Sequence, residues 1–267
     1  MFKKSVNKMI VVVMVLCLGM VFSGCGKSEV SQYEKIKESG KIVLGTSADY
    51  PPYEFHKEVD GKDQIVGFDI EIAKAIAEDM GVELEIKDMD FGGLLAALNT
   101  GTVDFVVAGM TPTDERKEKV DFSEIYYNAT QAVVVKTENK DKIKSMDDLK
   151  GKTIGVQMAS VQEEIAKDQV KDAQIKSLSK VPDLMMELKN DKVDALIVEL
   201  PVAKAYIDKN TDLSLSGITV KDETGGSAIA IKKGSQELTD QINKTLDKLV
   251  KENKIEEFVV EATDMIE

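Results

Sequence analysis

The sequence predicts an α/β protein built as two similar lobes that face each other across one cleft. Three observations carry this. β-Branched runs alternate with helical patterns from Lys41 onward; two stretches of the first lobe recur later in the same order; and the chain continues past the second copy with further strand and helix pattern.

The alternation runs KIVLGTS, DIEIAKAIAEDMG, VELEIKDM, GGLLAALNTG and VDFVVAGM, the order expected of a parallel sheet with helices on its faces. In the helix expected over 70–80, Ile72, Ala73, Ile76, Ala77 and Met80 form one apolar stripe, with Asp69 as N-cap and Gly81 as stop. LLAALNTGTVDFVVAGM (94–110) is echoed by LMMELKNDKVDALIVEL (184–200), which sets Gly109 opposite Glu199. GKIVLGTSA (40–48) is echoed by GKTIGVQMAS (151–160). The echoes place 41–130 in lobe 1 and 131–218 in lobe 2. TQAVVVKTENKDK reads as a crossover strand, and ITVKDETGGSAIAIKKGS as a strand pair through which 219–267 returns to lobe 1, giving two hinge strands. Ligands of open α/β sheets collect beyond the carboxyl ends of the strands, so Ser47, Gly109, Gln157 and Glu199 should border the cleft.

The N-terminus has its own grammar. Lys3, Lys4 and Lys8 precede an apolar run, Met9 to Phe22, that stops at Ser-Gly-Cys-Gly. That run is short for a membrane span and has the layout of a cleaved signal. A small-residue pair before Cys25 resembles a lipobox, so 1–24 is expected to be removed, Cys25 to be diacylated, and 25–40 to form a lipidated tether. Cys17 lies in the discarded segment, leaving the mature body no disulfide. The formal net charge of −13 becomes more negative once the leader's lysines are gone. Such a surface repels phosphate backbones and gives no attraction to anionic lipid, which excludes nucleic acid as a partner and leaves acyl chains as the anchor.

The chemistry concentrates in VVAGMTPTDERKEKVDFS (106–123), where a strand ends at Gly109 and a helix is expected at once, capped by Thr111 with Pro112 at its first position and Asp114 as capping-box acid. A helix N-terminus welcomes a carboxylate, and Arg116 one turn in adds a bidentate clamp; its alternative is a surface ion pair with Glu115 or Glu118. Glu199 ends the apolar strand DALIVE, where a carboxylate needs a cation, or else it projects to water beside Pro201. Tyr50, Tyr53 and Phe91 follow strand ends, where they stack on a ligand side chain or pack in the core.

With these blocks in view, the chain resembles the polar amino acid binding proteins of ABC importers, of the type II periplasmic-binding fold. GTSADYPPYEF, GFDIEIAKAIA, AGMTPTDERKEKVDFS, DDLKGKTIGVQMASVQE and VDALIVELPVAKAY stand in the family's order over about 41–260. The resemblance implies that Thr111 and Arg116 hold the ligand α-carboxylate, that the Gly109 carbonyl and Glu199 hold the α-amine, that Tyr50 and Phe91 sandwich the side chain, and that the Ala159-Ser160-Val161 turn gives N–H groups to the carboxylate. Ser47 stands where members binding cationic or glutamine side chains often carry aspartate, with Asp49 two residues on; Glu199 replaces the more usual aspartate. The implied partners are a free L-amino acid and the permease subunits, the protein acting as a monomer on the outer face of a Gram-positive type of membrane or in a periplasm. Acids such as Asp49 and Glu54 near the aromatic turn favour arginine or another cationic amino acid, then glutamine or histidine.

A fold-related enzyme such as a dehydratase and a sensor ectodomain are the rival classes. The single histidine, His56, sits in a charged loop, no metal-spaced cluster or activated nucleophile is visible, no cofactor is implied, and no apolar span follows the lobes. If Cys25 is the attachment point, Cys25→Ala is expected to shift the folded protein from the membrane fraction to the soluble fraction; persistence in washed membranes would reveal another anchor.

Overall fold

The computed structural model describes residues 30–220 and 225–266. The expected leader and Cys25 lie outside this range. Gln32–Ser39, assigned above to a tether, instead forms helix α1. Ile36 is buried in the core with Tyr33 packed beside it, and the Gln32 amide donates to the Asp104 carbonyl at 3.0 Å. Two apolar residues three apart suffice to dock a helix whose other positions are polar, so 32–39 belongs to the folded body and not to the expected tether.

From there the chain runs through β1 (Lys41–Thr46), β2 (Asp49–Tyr50), β3 (Glu54–Val59), β4 (Lys62–Val66), α2 (Phe68–Met80), β5 (Glu83–Asp88), α3 (Leu94–Thr100) and β6 (Phe105–Val106). It continues with α4 (Asp114–Lys119), β7 (Val120–Tyr127) and β8 (Gln131–Lys136). Next come β9 (Thr153–Gln157), α5 (Val161–Gln169), β10 (Gln174–Leu178), α6 (Val181–Lys189), β11 (Ala195–Glu199), α7 (Leu200–Asp208) and β12 (Leu213–Leu215). The last elements are β13 (Ser227–Lys232), α8 (Gln236–Lys251) and α9 (Lys254–Asp264).

Two five-stranded sheets result, ordered β5-β1-β6-β13-β7 and β10-β9-β11-β8-β12, with β2-β3-β4 as a separate hairpin sheet. In each large sheet the first three strands are parallel and the fourth antiparallel. That fourth strand comes from across the molecule: β8 follows directly on β7 of the other sheet, and β13 returns after β12. Two crossings therefore tie the lobes together. Of the strand pair expected after Gly217, only β13 is a strand among the described residues.

The sequence echoes are physical. Asp104 accepts from the Val43 N–H at 2.9 Å, and Asp194 accepts from the Thr153 N–H at 2.9 Å. Leu44 pairs with Phe105 as Ile154 pairs with Ala195. The Val-Asp repeat thus marks an acid that ties the start of one parallel strand to its neighbour, once per lobe. Outer faces of the two sheets carry separate apolar clusters, around Leu94 and Val106 in one and around Ile154 and Ile197 in the other. The third cluster runs from Ile42 and Phe105 through Tyr50 and Tyr53 to Val198 and Leu184, so apolar packing is continuous between the lobes. No helix among the described residues is long and apolar enough to cross a membrane.

Helix α2 begins two residues earlier than expected, and Asp69 does not cap it. Gly67 stands at the cap at φ 131°, and the helix has no side-chain cap. A Cβ at Gly67 would lie 2.1 Å from the Tyr53 carbonyl oxygen, which also accepts from the Asp69 N–H at 3.0 Å. Neither the dihedral nor the backbone contact tolerates a side chain. Gly67→Ala is expected to cost at least about 2 kcal/mol in urea unfolding and to displace Tyr53; an unchanged midpoint would refute this.

Candidate ligand site between the lobes

A narrow, nearly closed cleft lies where the carboxyl ends of the parallel strands of both sheets meet. From the first lobe it is lined by Ser47, Tyr50, Glu54, Phe91, Ala108, Gly109, Thr111 and Arg116, and from the second by Gln157, Ser160, Val161 and Gln162.

Arg116 makes one pole. Helix α4 is capped by Thr113, whose hydroxyl accepts from the Arg116 N–H at 3.3 Å; Thr111 and Pro112 lie in extended chain before it, and Asp114 is its first residue. The cap falls two residues later than expected because Thr-Pro-Thr offers two hydroxyls and the loop beyond Gly109 continues extended. The side chain is 9% exposed, which excludes the surface ion pair; Glu115 pairs with Lys119 instead. One guanidinium nitrogen donates to the Thr111 carbonyl and the other to the Ala159 carbonyl of the second lobe, each at 2.8 Å. Phe91 lies beneath, 5.4 Å from ring centroid to Cζ. Burial draws the guanidinium down from its usual value, with Glu164 and Glu115 opposing. Two of its five donors are used, and the remainder are available to an anion.

The second lobe completes this pole with the start of α5. Ser160 is the N-cap, accepting from the Glu163 N–H at 3.3 Å, and Glu163 accepts from the Ala159 N–H at 2.9 Å. Ala159, held at φ 63°, aims its carbonyl at Arg116. The first N–H groups of a helix have no partner within it, so Val161 and Gln162 present donors beside the guanidinium.

The other pole is acidic. Asp69, fully buried, accepts from the Gly109 N–H at 2.8 Å and the Tyr126 hydroxyl at 2.9 Å. It fixes the strand end at Gly109, whose φ of 54° and contact with the Tyr50 and Tyr53 rings leave little room for a side chain. Glu54, 0% exposed, lines the cleft against the Asp69 carboxyl, the two acids placed to share a proton, and neither of its oxygens accepts from any other group among the described residues. Burial, then the charges of Asp69 and Asp49, push its carboxyl well above the usual range. Glu199 is buried rather than projecting to water and accepts from the Tyr53 hydroxyl, while its N–H donates to the Tyr50 hydroxyl at 3.4 Å.

Nine of the residues singled out in the sequence therefore line one cleft: Ser47, Tyr50, Phe91, Gly109, Thr111, Arg116, Gln157, Ser160 and Val161. Glu199 stands behind the tyrosines, outside the lining, and Asp49 turns its carboxylate to the Val181 N–H of the second lobe at 2.9 Å. Gln162 was missed, having no signal beyond its place after an N-cap. Glu54 was noted only as an acid near the aromatic turn; an acid two residues beyond the Pro-Pro turn, next to an aromatic, was the available clue.

Residues 42–261 match the bacterial extracellular solute-binding proteins, family 3. The chain belongs to that family. It is 42% identical over 259 residues to the arginine-binding extracellular protein ArtP of Bacillus subtilis, covering 94% of this chain and 96% of that one. It is 33% identical to the glutamine-binding protein GlnH of an ABC transporter from the same species, covering 84% and 81%. The crystal structure of AbpA, an amino acid ABC transporter substrate-binding protein from Streptococcus pneumoniae bound to L-arginine, superimposes with a TM-score of 0.85 at 39% identity, covering 87% of this chain and 98% of that one.

Asp69 is buried wholly among first-lobe partners, and its titration follows from that burial. Burial raises its pKa to about 6, against the opposing hydrogen bonds from Gly109 and Tyr126. An acid whose pKa is higher folded than unfolded stabilises fully below the unfolded value, and the contribution disappears as pH rises through the folded one. The unliganded protein is therefore expected to lose on the order of 3 kcal/mol relative to Asp69→Asn between about pH 4 and 6. Parallel denaturant titrations that stay level across that interval would contradict the assignment.

Proposed function

We propose that this protein is the extracytoplasmic receptor of an ABC importer for a cationic amino acid, with L-arginine the first choice, anchored through a diacylated Cys25 and acting as a monomer that hands its ligand to the permease. The observation that carries the ligand choice is Glu54: a carboxyl wholly out of water, lining the cleft, whose neighbour within hydrogen-bond reach is a second acid, Asp69. Two acids held against each other out of water must share a proton or meet a cation, and a cationic side chain entering the cleft supplies one.

Arginine answers each group once. Its α-carboxylate goes to Arg116, Thr111 and the α5 N-terminus; its ammonium to the Gly109 carbonyl and to Glu199, released from Tyr53; its guanidinium to Glu54. Tyr50 and Phe91 flank the aliphatic stem. Glutamine satisfies the first two groups and leaves Glu54 without a cation. The bias of its relatives toward arginine, in ArtP and AbpA, supports the same order. A carrier rather than a catalyst is supported by the state of the lining serines: Ser160 donates to the Gln157 carbonyl at 2.7 Å, and Ser47 to Asp49 at 3.1 Å, a carboxylate already engaged by the Val181 N–H. His56 pairs with Asp63 away from the cleft.

Calorimetry against the free amino acids tests this directly. Arg116→Ala or Glu199→Ala is expected to weaken every ligand about a hundredfold, since each leaves an α-group of the ligand desolvated and unpaired. Glu54→Gln is expected to weaken arginine strongly and glutamine little. Because the raised pKa keeps a proton on Glu54 in the empty site, arginine must displace it: affinity rises with pH until Glu54 ionises unaided and then levels, by up to about tenfold per pH unit, while glutamine affinity stays flat. Equal effects of Glu54→Gln on both ligands would exclude the cationic choice.

A further inference from the structure

We infer that Asp49, Tyr206 and Lys180 form a latch that draws the lobes together without touching the ligand, and so set the affinity for every ligand by the same factor. This rests on the reading above that binding closes the cleft.

Four contacts cross from one lobe to the other, to Val181, to Tyr206 and twice to Lys180, and two more within the first lobe hold their partners in place. Asp49, on β2, is 7% exposed; one carboxylate oxygen accepts from the Val181 N–H at the start of α6 at 2.9 Å, and the other from Ser47 at 3.1 Å. Its backbone carbonyl accepts from the hydroxyl of Tyr206, on α7, at 3.0 Å. Lys180, the residue before α6, reaches Asp88 at 3.9 Å and Asp90 at 3.7 Å, and Asp88 is itself fixed to the turn by the Ala48 N–H at 2.8 Å. None of Asp49, Tyr206, Lys180 or Val181 lines the cleft; Asp49 and Tyr206 border instead an outer groove with Pro51, His56 and Pro182.

Opening would part each of these pairs, leaving the α6 N-terminus and the Asp49 carboxylate to water. Closed, the carboxylate loses hydration and gains a charge-assisted bond at the positive end of a nine-residue helix. The opposed terms keep the latch weak enough to release cargo. A ligand that binds only the closed form has an apparent dissociation constant equal to the intrinsic one divided by the closed fraction, so contacts that raise this fraction tighten all ligands equally. Ser47 lies in both networks, which places the latch one side chain from the ligand.

The test is a panel of free amino acids titrated into parent, Asp49→Ala, Asp49→Asn and Tyr206→Phe, with dissociation followed by stopped flow and unliganded shape by small-angle scattering. Asp49→Ala is expected to weaken every bound amino acid by one common factor on the order of tenfold, Tyr206→Phe by about threefold, mostly through faster dissociation, and Asp49→Asn, which keeps an acceptor, to recover part of the loss. Unequal losses across ligands would mean that Asp49 reads the side chain, and losses within twofold that the contacts do not hold closure; either overturns the latch. A parent that prefers non-cationic amino acids defeats the ligand assignment and leaves this comparison intact. A parent that binds none defeats the receptor reading, and the latch then stands or falls on whether unliganded Asp49→Ala is more extended than the parent.

Discussion

The guanidinium of Arg116 lies between two carbonyls that the chain reaches by different routes, Thr111 in the first lobe and Ala159 in the second, and the rest of the cleft is arranged around keeping it there. A cation this deeply buried is tolerable only with its donors directed, its face covered and an anion within reach. Thr113 starts the helix that carries it, Phe91 covers its face, and Glu163 fixes the strained turn at Ala159 that supplies one acceptor. Because that acceptor belongs to the other lobe, the geometry of the positive pole and the closure of the lobes are one constraint.

The duplicated sheets make such a site inexpensive to build. Each lobe repeats the same three parallel strands with the same acid tying the third to the first, so each delivers strand ends to the same height, and the exchanged fourth strands oblige those ends to face one another. Gly109 and Glu199 occupy the same register of the repeat: the first is a bare backbone turn beyond β6, held by Asp69, and the second closes β11 as a carboxylate held by Tyr53.

Much of this was legible in the sequence because it depends on periodicity and repetition, which survive in one dimension. The Val-Asp echo, the α2 stripe and the cluster from Gly109 to Arg116 all led to what the structure contains. The misreadings share a cause. Asp69 has the composition of a cap but is directed inward by Gly67, whose dihedral no propensity scale reports; Thr111 and Thr113 are equivalent to local rules and are separated by how far the loop runs before α4. Asp49 and Glu54 are both acids beside the aromatic turn. Which of them faces the cleft depends on where α6 arrives, since the Val181 N–H claims Asp49 and leaves Glu54 facing the cleft beside Asp69, and α6 is more than a hundred residues away in the chain.

That division of labour between two neighbouring acids also explains how recognition and closure can be tuned apart. An acid in the cleft gains its stabilisation from the ligand's charge, so its effect differs from one ligand to the next; an acid at the lobe junction gains it from a helix end and is indifferent to the ligand. Were both carboxylates in the cleft, their mutual repulsion would raise the cost of ionising either, a tendency already visible in the upward push that Asp49 and Asp69 exert on Glu54. Turning Asp49 outward to α6 gives its charge a partner and confines the uncompensated acid to the position a cationic side chain can reach.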